Sequence, residues 1–117
     1  MATYKILGQV ATTTADAWQS VYTVGSGTSA VVSTLVLCGI GAGSTTLSVK
    51  VLAASADPTN ANTNKAYIFK DFQVGSGESH TFTLGITLAT GESLAVKCGG
   101  SAGAGLSVAV NAFGMEV

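Results

Sequence analysis

A chain of 117 residues, 47% of them hydrophobic, has the apolar material for a buried core and the length for one domain. Charged residues make up only 9% of it, against roughly 25% in ordinary globular domains, and five lysines with no arginine leave no basic footprint for a nucleic-acid backbone. The most apolar stretch, residues 30–40, is broken by Ser33, Thr34 and Gly39 and is too short to span a bilayer, and the first residues lack the basic-then-apolar pattern of a secretory signal.

Glycine and asparagine clusters cut the chain into short segments rich in Val, Leu, Thr and aromatic residues, with no helical spacing over three turns. Strands are expected near residues 3–9, 18–24, 30–38, 45–53, 65–73, 79–85, 92–98 and 105–116. In the second, Trp18 and Tyr22 share strand parity. In the third, alternation puts Val31, Leu35 and Leu37 on one face and Val32, Val36 and Cys38 on the other, so both faces call for cover. One face meets the protein's own core; the other meets either the loop near Pro58 or another subunit. Val32 and Val36, with Trp18 and Tyr22, are therefore the candidate interface residues.

The fourth strand alternates Leu47, Val49 and Val51 with Ser48 and Lys50, which gives it one buried face. Residues 57–64 then form a polar surface loop, whose single carboxylate, Asp57, is too little for calcium. Alternation returns in Phe82 and Leu84 against Thr81 and Thr83, and in Leu94, Val96 and Cys98 against Ala95 and Lys97. It recurs in Leu106, Val108 and Val110 against Ser107 and Asn111. Eight such strands indicate an all-β fold: one domain over 1–117, an antiparallel two-sheet β-sandwich of jelly-roll-like form. A faint repeat runs through it. Val24-Gly25-Ser26-Gly27-Thr28-Ser29 returns as Val74-Gly75-Ser76-Gly77-Glu78-Ser79, and Leu47-Ser48-Val49-Lys50 returns as Leu94-Ala95-Val96-Lys97. Either two related hairpins face each other or the same turn chemistry is used twice.

Site chemistry is sparse. His80 is the only histidine, and the six carboxylates, Asp16, Asp57, Asp71, Glu78, Glu92 and Glu116, occur singly in or near turns. Gly39-Ile40-Gly41-Ala42-Gly43 precedes a strand and not the helix a dinucleotide fingerprint needs, and the glycines of 99–105 read as a connection. Cys38 and Cys98 are too far apart for a CxxC motif and read as packed reduced thiols, with a structural disulfide as the alternative. No catalytic, cofactor or metal site is expected, and no enzyme activity. Trp18, Tyr22, Tyr67 and Phe69 could instead line a sugar-binding face, or serve the core or an interface.

The chain resembles a family of small bacteriophage virion proteins. The resemblance is carried by Met-Ala-Thr-Tyr-Lys-Ile-Leu-Gly-Gln at 1–9, Val21-Tyr22-Thr23-Val24, the run from Ser29 to Cys38, Leu84-Gly85-Ile86-Thr87-Leu88-Ala89 with Gly91-Glu92, and the closing Phe113-Gly114-Met115-Glu116-Val117. It spans nearly the whole length. Departures fall in turns: Gly25-Ser26-Gly27 and Gly39-Ile40-Gly41 stand where many relatives have Pro-Ala and Asn-Arg-Gly. The resemblance implies a non-enzymatic virion structural protein, assembled in the host bacterial cytoplasm, with capsid decoration (cement) favoured and a neck, collar or tail position near the receptor-binding fibres as the alternative. Its implied partners are itself, as a homo-oligomer and most simply a trimer, and other virion proteins such as the major capsid protein. No nucleic acid or membrane is implied; a glycan contact belongs to the alternative reading as a carbohydrate-binding module.

Overall fold

Every one of the eight expected segments is a strand. In the computed structural model, which describes residues 3–12, 17–41, 45–99 and 108–117, these are β1 (Thr3–Ala11), β2 (Gln19–Thr23), β3 (Ala30–Gly39), β4 (Thr45–Leu52), β5 (Tyr67–Val74), β6 (Ser79–Leu88), β7 (Ser93–Cys98) and β8 (Val108–Glu116). Asp16, Gly43, Leu106, Ser107 and most of the 99–105 glycine run lie outside the described residues. A 3₁₀ helix over Ala61–Ala66 takes the place of plain loop and delays the fifth strand to Tyr67; the Asn60 side chain caps it by accepting the Asn62 N–H.

Two four-stranded antiparallel sheets result: a front sheet ordered β1-β8-β3-β6 and a back sheet ordered β2-β7-β4-β5. The first strand pairs with the last, the second with the seventh, the third with the sixth and the fourth with the fifth. That is the wrapping of a jelly roll, closed within each sheet by β3–β8 and β4–β7. The inner faces meet in a core of Val32, Leu35, Leu37, Leu47, Val49, Leu94, Val96, Val108 and Val110, all at 0% exposure. Burial of each such side chain contributes about 1.5–3 kcal/mol. At the β5–β6 side the core is closed by rings: Phe69 stacks tilted on Phe82 at 4.5 Å, and Phe72 meets His80 edge-on at 5.0 Å. At the β1–β2 side, Tyr22 donates its hydroxyl proton to Glu116, which also pairs with Lys5.

The repeat noted in the sequence has a structural counterpart. Units β2-β3-β4 and β5-β6-β7 each run back-edge, front, back-centre, and exchanging them preserves the β2–β7, β4–β5, β3–β6 and β4–β7 pairings. Gly27 and Gly77 occupy the same turn position in the two units, with φ of 72° and 76°, a region glycine enters without steric cost. The second unit closes both of its turns with a glutamate, where the first has Thr28 in place of Glu78. Glu78 accepts the Gly75 N–H and Glu92 accepts the Ala89 N–H, each at 2.7 Å.

Candidate interaction surfaces

Bulges decide which side chains reach the outer faces. In β3, Val32 aligns with Gly114 and Thr34 with Phe113, so Ser33 is an extra residue against β8. One inserted residue inverts the parity that follows it. Val32 consequently joins Leu35 and Leu37 in the core, while Val31, Ser33, Thr34, Val36 and Cys38 face outward. This corrects the placement of Val32 on an interface: at 0% exposure it belongs to the protein's own core. Val36, half-buried, does lie on the outer face. A bulge in β2 between Ser20 and Tyr22 likewise separates Trp18 from Tyr22. Trp18 lies on the outside of the back sheet, and Tyr22 packs against the core and reaches Glu116. Burial and the Glu116 carboxylate push the Tyr22 phenol up to about 12.

The outer face of the front sheet is built in rows read off the strand registers: Tyr4–Met115–Val31–Thr87, Ile6–Phe113–Thr34–Thr83, Gln9–Asn111–Val36–Thr81 and Ala11–Ala109–Cys38–Ser79. No row holds a charged side chain. Tyr4 and Ile6 are 63% and 51% exposed. The longer polar groups bond within the plane of the face: the Gln9 amide donates to Asn111 at 2.6 Å, the Tyr4 hydroxyl pairs with that of Ser33, and Ser33 donates to the Phe113 carbonyl at 3.3 Å.

The outside of the back sheet is different. Lys50, on the solvent side of β4 by alternation, is only 2% exposed. Its ammonium donates to the Pro58 carbonyl at 2.8 Å and to the Thr63 hydroxyl at 3.0 Å, and sits 4.9 Å from the Trp18 ring centre and 4.6 Å from that of Tyr67. The loop near Pro58 thus folds over Lys50 of the back sheet and not over β3. Burial, then the Lys97 charge, lower the Lys50 pKa, and Asp57 partly offsets them. Beside it, Ser48 accepts the Asp71 N–H at 3.0 Å, satisfying a bulged residue whose φ is 54°. Lys97 and Lys70 stand 5.3 Å from Trp18 and 5.8 Å from Tyr67. Of the four aromatics considered for a sugar face, only Trp18 and Tyr67 come together, 5.9 Å apart, and lysines occupy them; Phe69 belongs to the aromatic closure. Periodicity missed this cluster because it reads a strand lysine as solvated. The available signal was a lone lysine beside a tryptophan strand and an Asn/Thr loop rich in acceptors.

A cavity of about 440 Å³ lies between the end of β4 and the 3₁₀ helix, lined mainly by Val51, Leu52, Ala53, Ala56 and Ala66. Its best polar group, the Thr63 hydroxyl, is already committed to Lys50, Asp57 and Asn60. Cys38 pairs with Ser79, the neighbour of His80, yet alternation sends the thiol outward and the imidazole inward against Phe72. Cys98 is buried in the other sheet. Among the described residues no group of three or more His, Cys, Asp or Glu is placed to hold a metal. Comparison with protein-family models, with curated proteins and with solved structures returns no match.

Proposed function

We propose that this chain is a non-enzymatic structural protein of a bacteriophage virion, a decoration protein that acts by packing against other proteins. The observation that carries the reading is the front face: a whole outer sheet surface without a charged side chain, on a chain that is sparing of charge throughout. The resemblance of its strand and turn sequences to those of small virion proteins supports it, and jelly rolls serve in capsid domains as well as in lectins. A carbohydrate-binding reading needs open ring faces, and Lys50 lies over both Trp18 and Tyr67. The test is quantitative mass spectrometry of washed, gradient-purified particles. A decoration protein is expected in proportion to the major capsid protein. A few copies per particle would move it to the neck or tail, and absence from the particles would refute the reading. Glycan binding that is lost in Trp18→Ala with the fold intact would favour the lectin alternative.

A further inference from the structure

We infer that the front face is the seat of a second copy of this chain, packed face to face across a two-fold axis. The inference rests on the structural-protein reading and names the partner of its key surface.

Three features favour a second copy as occupant. The first is charge. A two-fold contact sets each face against an identical one, so any net charge on it would meet itself; here the four rows contain none. The second is polar bookkeeping within the face. The Gln9 amide N–H is paired with the Asn111 carbonyl oxygen and the Tyr4 hydroxyl with that of Ser33, so those groups need no new partner when covered, and the Thr34, Thr81, Thr83 and Thr87 hydroxyls of the same rows are left to bond across the contact. The third is area. Four strands about 4.8 Å apart and about nine residues long at ~3.3 Å each make a face of roughly 570 Å². That is near a tenth of the molecule's 5715 Å², the share a specific contact takes from a small protein, and two such faces approach the ~1,200 Å² at which standard interfaces begin. The back face is less suited, because it carries Lys70 and Lys97, whose charges a face-to-face contact would have to desolvate. Face-to-face packing is isologous and closes at two, so the assembly unit is a dimer and not the simple trimer that the family resemblance implies.

The test is sedimentation of the full chain at tens of micromolar, comparing wild type with the front variant Ile6→Lys/Thr83→Lys and the back variant Ser20→Lys/Gln73→Lys. All four positions are exposed, so the fold should survive, which circular dichroism and melting check. Wild type and the back variant should dimerise, and the front variant should raise the dimer Kd about 100-fold or more. Cys38, at the end of the face, should resist a bulky maleimide in wild type and react in the front variant. A wild-type monomer, or a front variant that still dimerises, overturns the inference. So does a monomeric wild type whose binding to particles is abolished by the front lysines, because the capsid then occupies the face. A dimer broken by those lysines, in a protein absent from particles, supports the inference while removing the virion reading.

Discussion

Replacing Val32 and Val36 by alanine, one at a time, tests the bulge that divides them. Val32 is at 0% exposure between Ile86 and Gly114, whereas Val36 lies on the outer face, half-buried. Val32→Ala removes two buried carbons, worth about 1.6 kcal/mol at ~0.8 kcal/mol each. A residual cavity of ~40 Å³ adds about 1 kcal/mol at ~24 cal/mol per Å³. The sum, about 2.5 kcal/mol, corresponds to a fall in Tm of roughly 10 °C for a domain of this size. Val36→Ala gives up only partly exposed carbons and should cost under about 1 kcal/mol. The assay is urea unfolding with parallel melts, on the Ile6→Lys/Thr83→Lys background so that self-association does not inflate the Val36 value. Equal costs, or a larger cost at Val36, would mean that alternation runs unbroken through β3 and that Ser33 is not the extra residue.

Lys50→Met keeps the buried stem and discards the charge, so its stability should stay within about 1 kcal/mol of wild type. Lys50→Ala should lose about 2–3 kcal/mol and raise amide exchange across residues 57–66, read by hydrogen-exchange mass spectrometry. Because the folded chain lowers the Lys50 pKa, the unfolded chain binds more protons just below pH 10.5, and the Lys50 contribution to stability rises with pH there. Tyr22 acts oppositely: its phenol is raised from 10.0 to about 12, so its contribution is complete below pH 10 and lost as pH climbs to 12. Alkaline unfolding should therefore set in later in Tyr22→Phe relative to its own neutral-pH stability, with fluorescence-monitored denaturation series as the measurement. Gly114→Ala should prevent folding, since its Cβ would lie 1.9 Å from the Val31 carbonyl oxygen, while Gly85→Ala, with nothing within 4 Å, should be neutral by circular dichroism.

The eight strands were legible because their signals are local: glycine turns and two-residue alternation need no knowledge of partners. Alternation also runs unbroken through β6, where His80, Phe82, Leu84 and Ile86 face in and the threonines face out, although its register against β3 shifts. It failed at Val32 and at the Trp18–Tyr22 pair because a bulge is a property of two strands together. Ser33 and Val21 carry no mark that they will stand opposite no one. A partial clue was present in Gly8 and Gly114. Both lie next to the bulges of the front sheet, and there a Cβ would run into the Val21 or Val31 carbonyl oxygen. The Lys50 cluster was invisible for another reason. It assembles β4, β5, the approach to β2 and the 57–66 loop, and their proximity follows only from the wrapping of the jelly roll.

The scarcity of charge in this chain is not spread evenly over its surface. Lys50, Lys70 and Lys97 stand on the back sheet, Lys65 on the 3₁₀ helix beside it, and Asp57 and Asp71 among them. Glu78 and Glu92 are used up in closing turns, and Lys5 and Glu116 in closing the β1–β2 side. Among the described residues every charged side chain is thus accounted for away from the front face. A sheet face that stays in water normally alternates core residues with charged or strongly hydrated ones. A face buried within its own chain is usually continuous aliphatic. The front face is neither: it sets Tyr4, Ile6, Phe113 and Met115 among hydroxyls and amides, of which Tyr4 and Ser33, and Gln9 and Asn111, bond to each other. Aromatic and sulfur side chains with depleted charge are the composition of the centre of a protein–protein interface. The back sheet covers part of its outer face by folding its own loop over Lys50, whereas on the inference drawn above the front sheet is covered by a second copy.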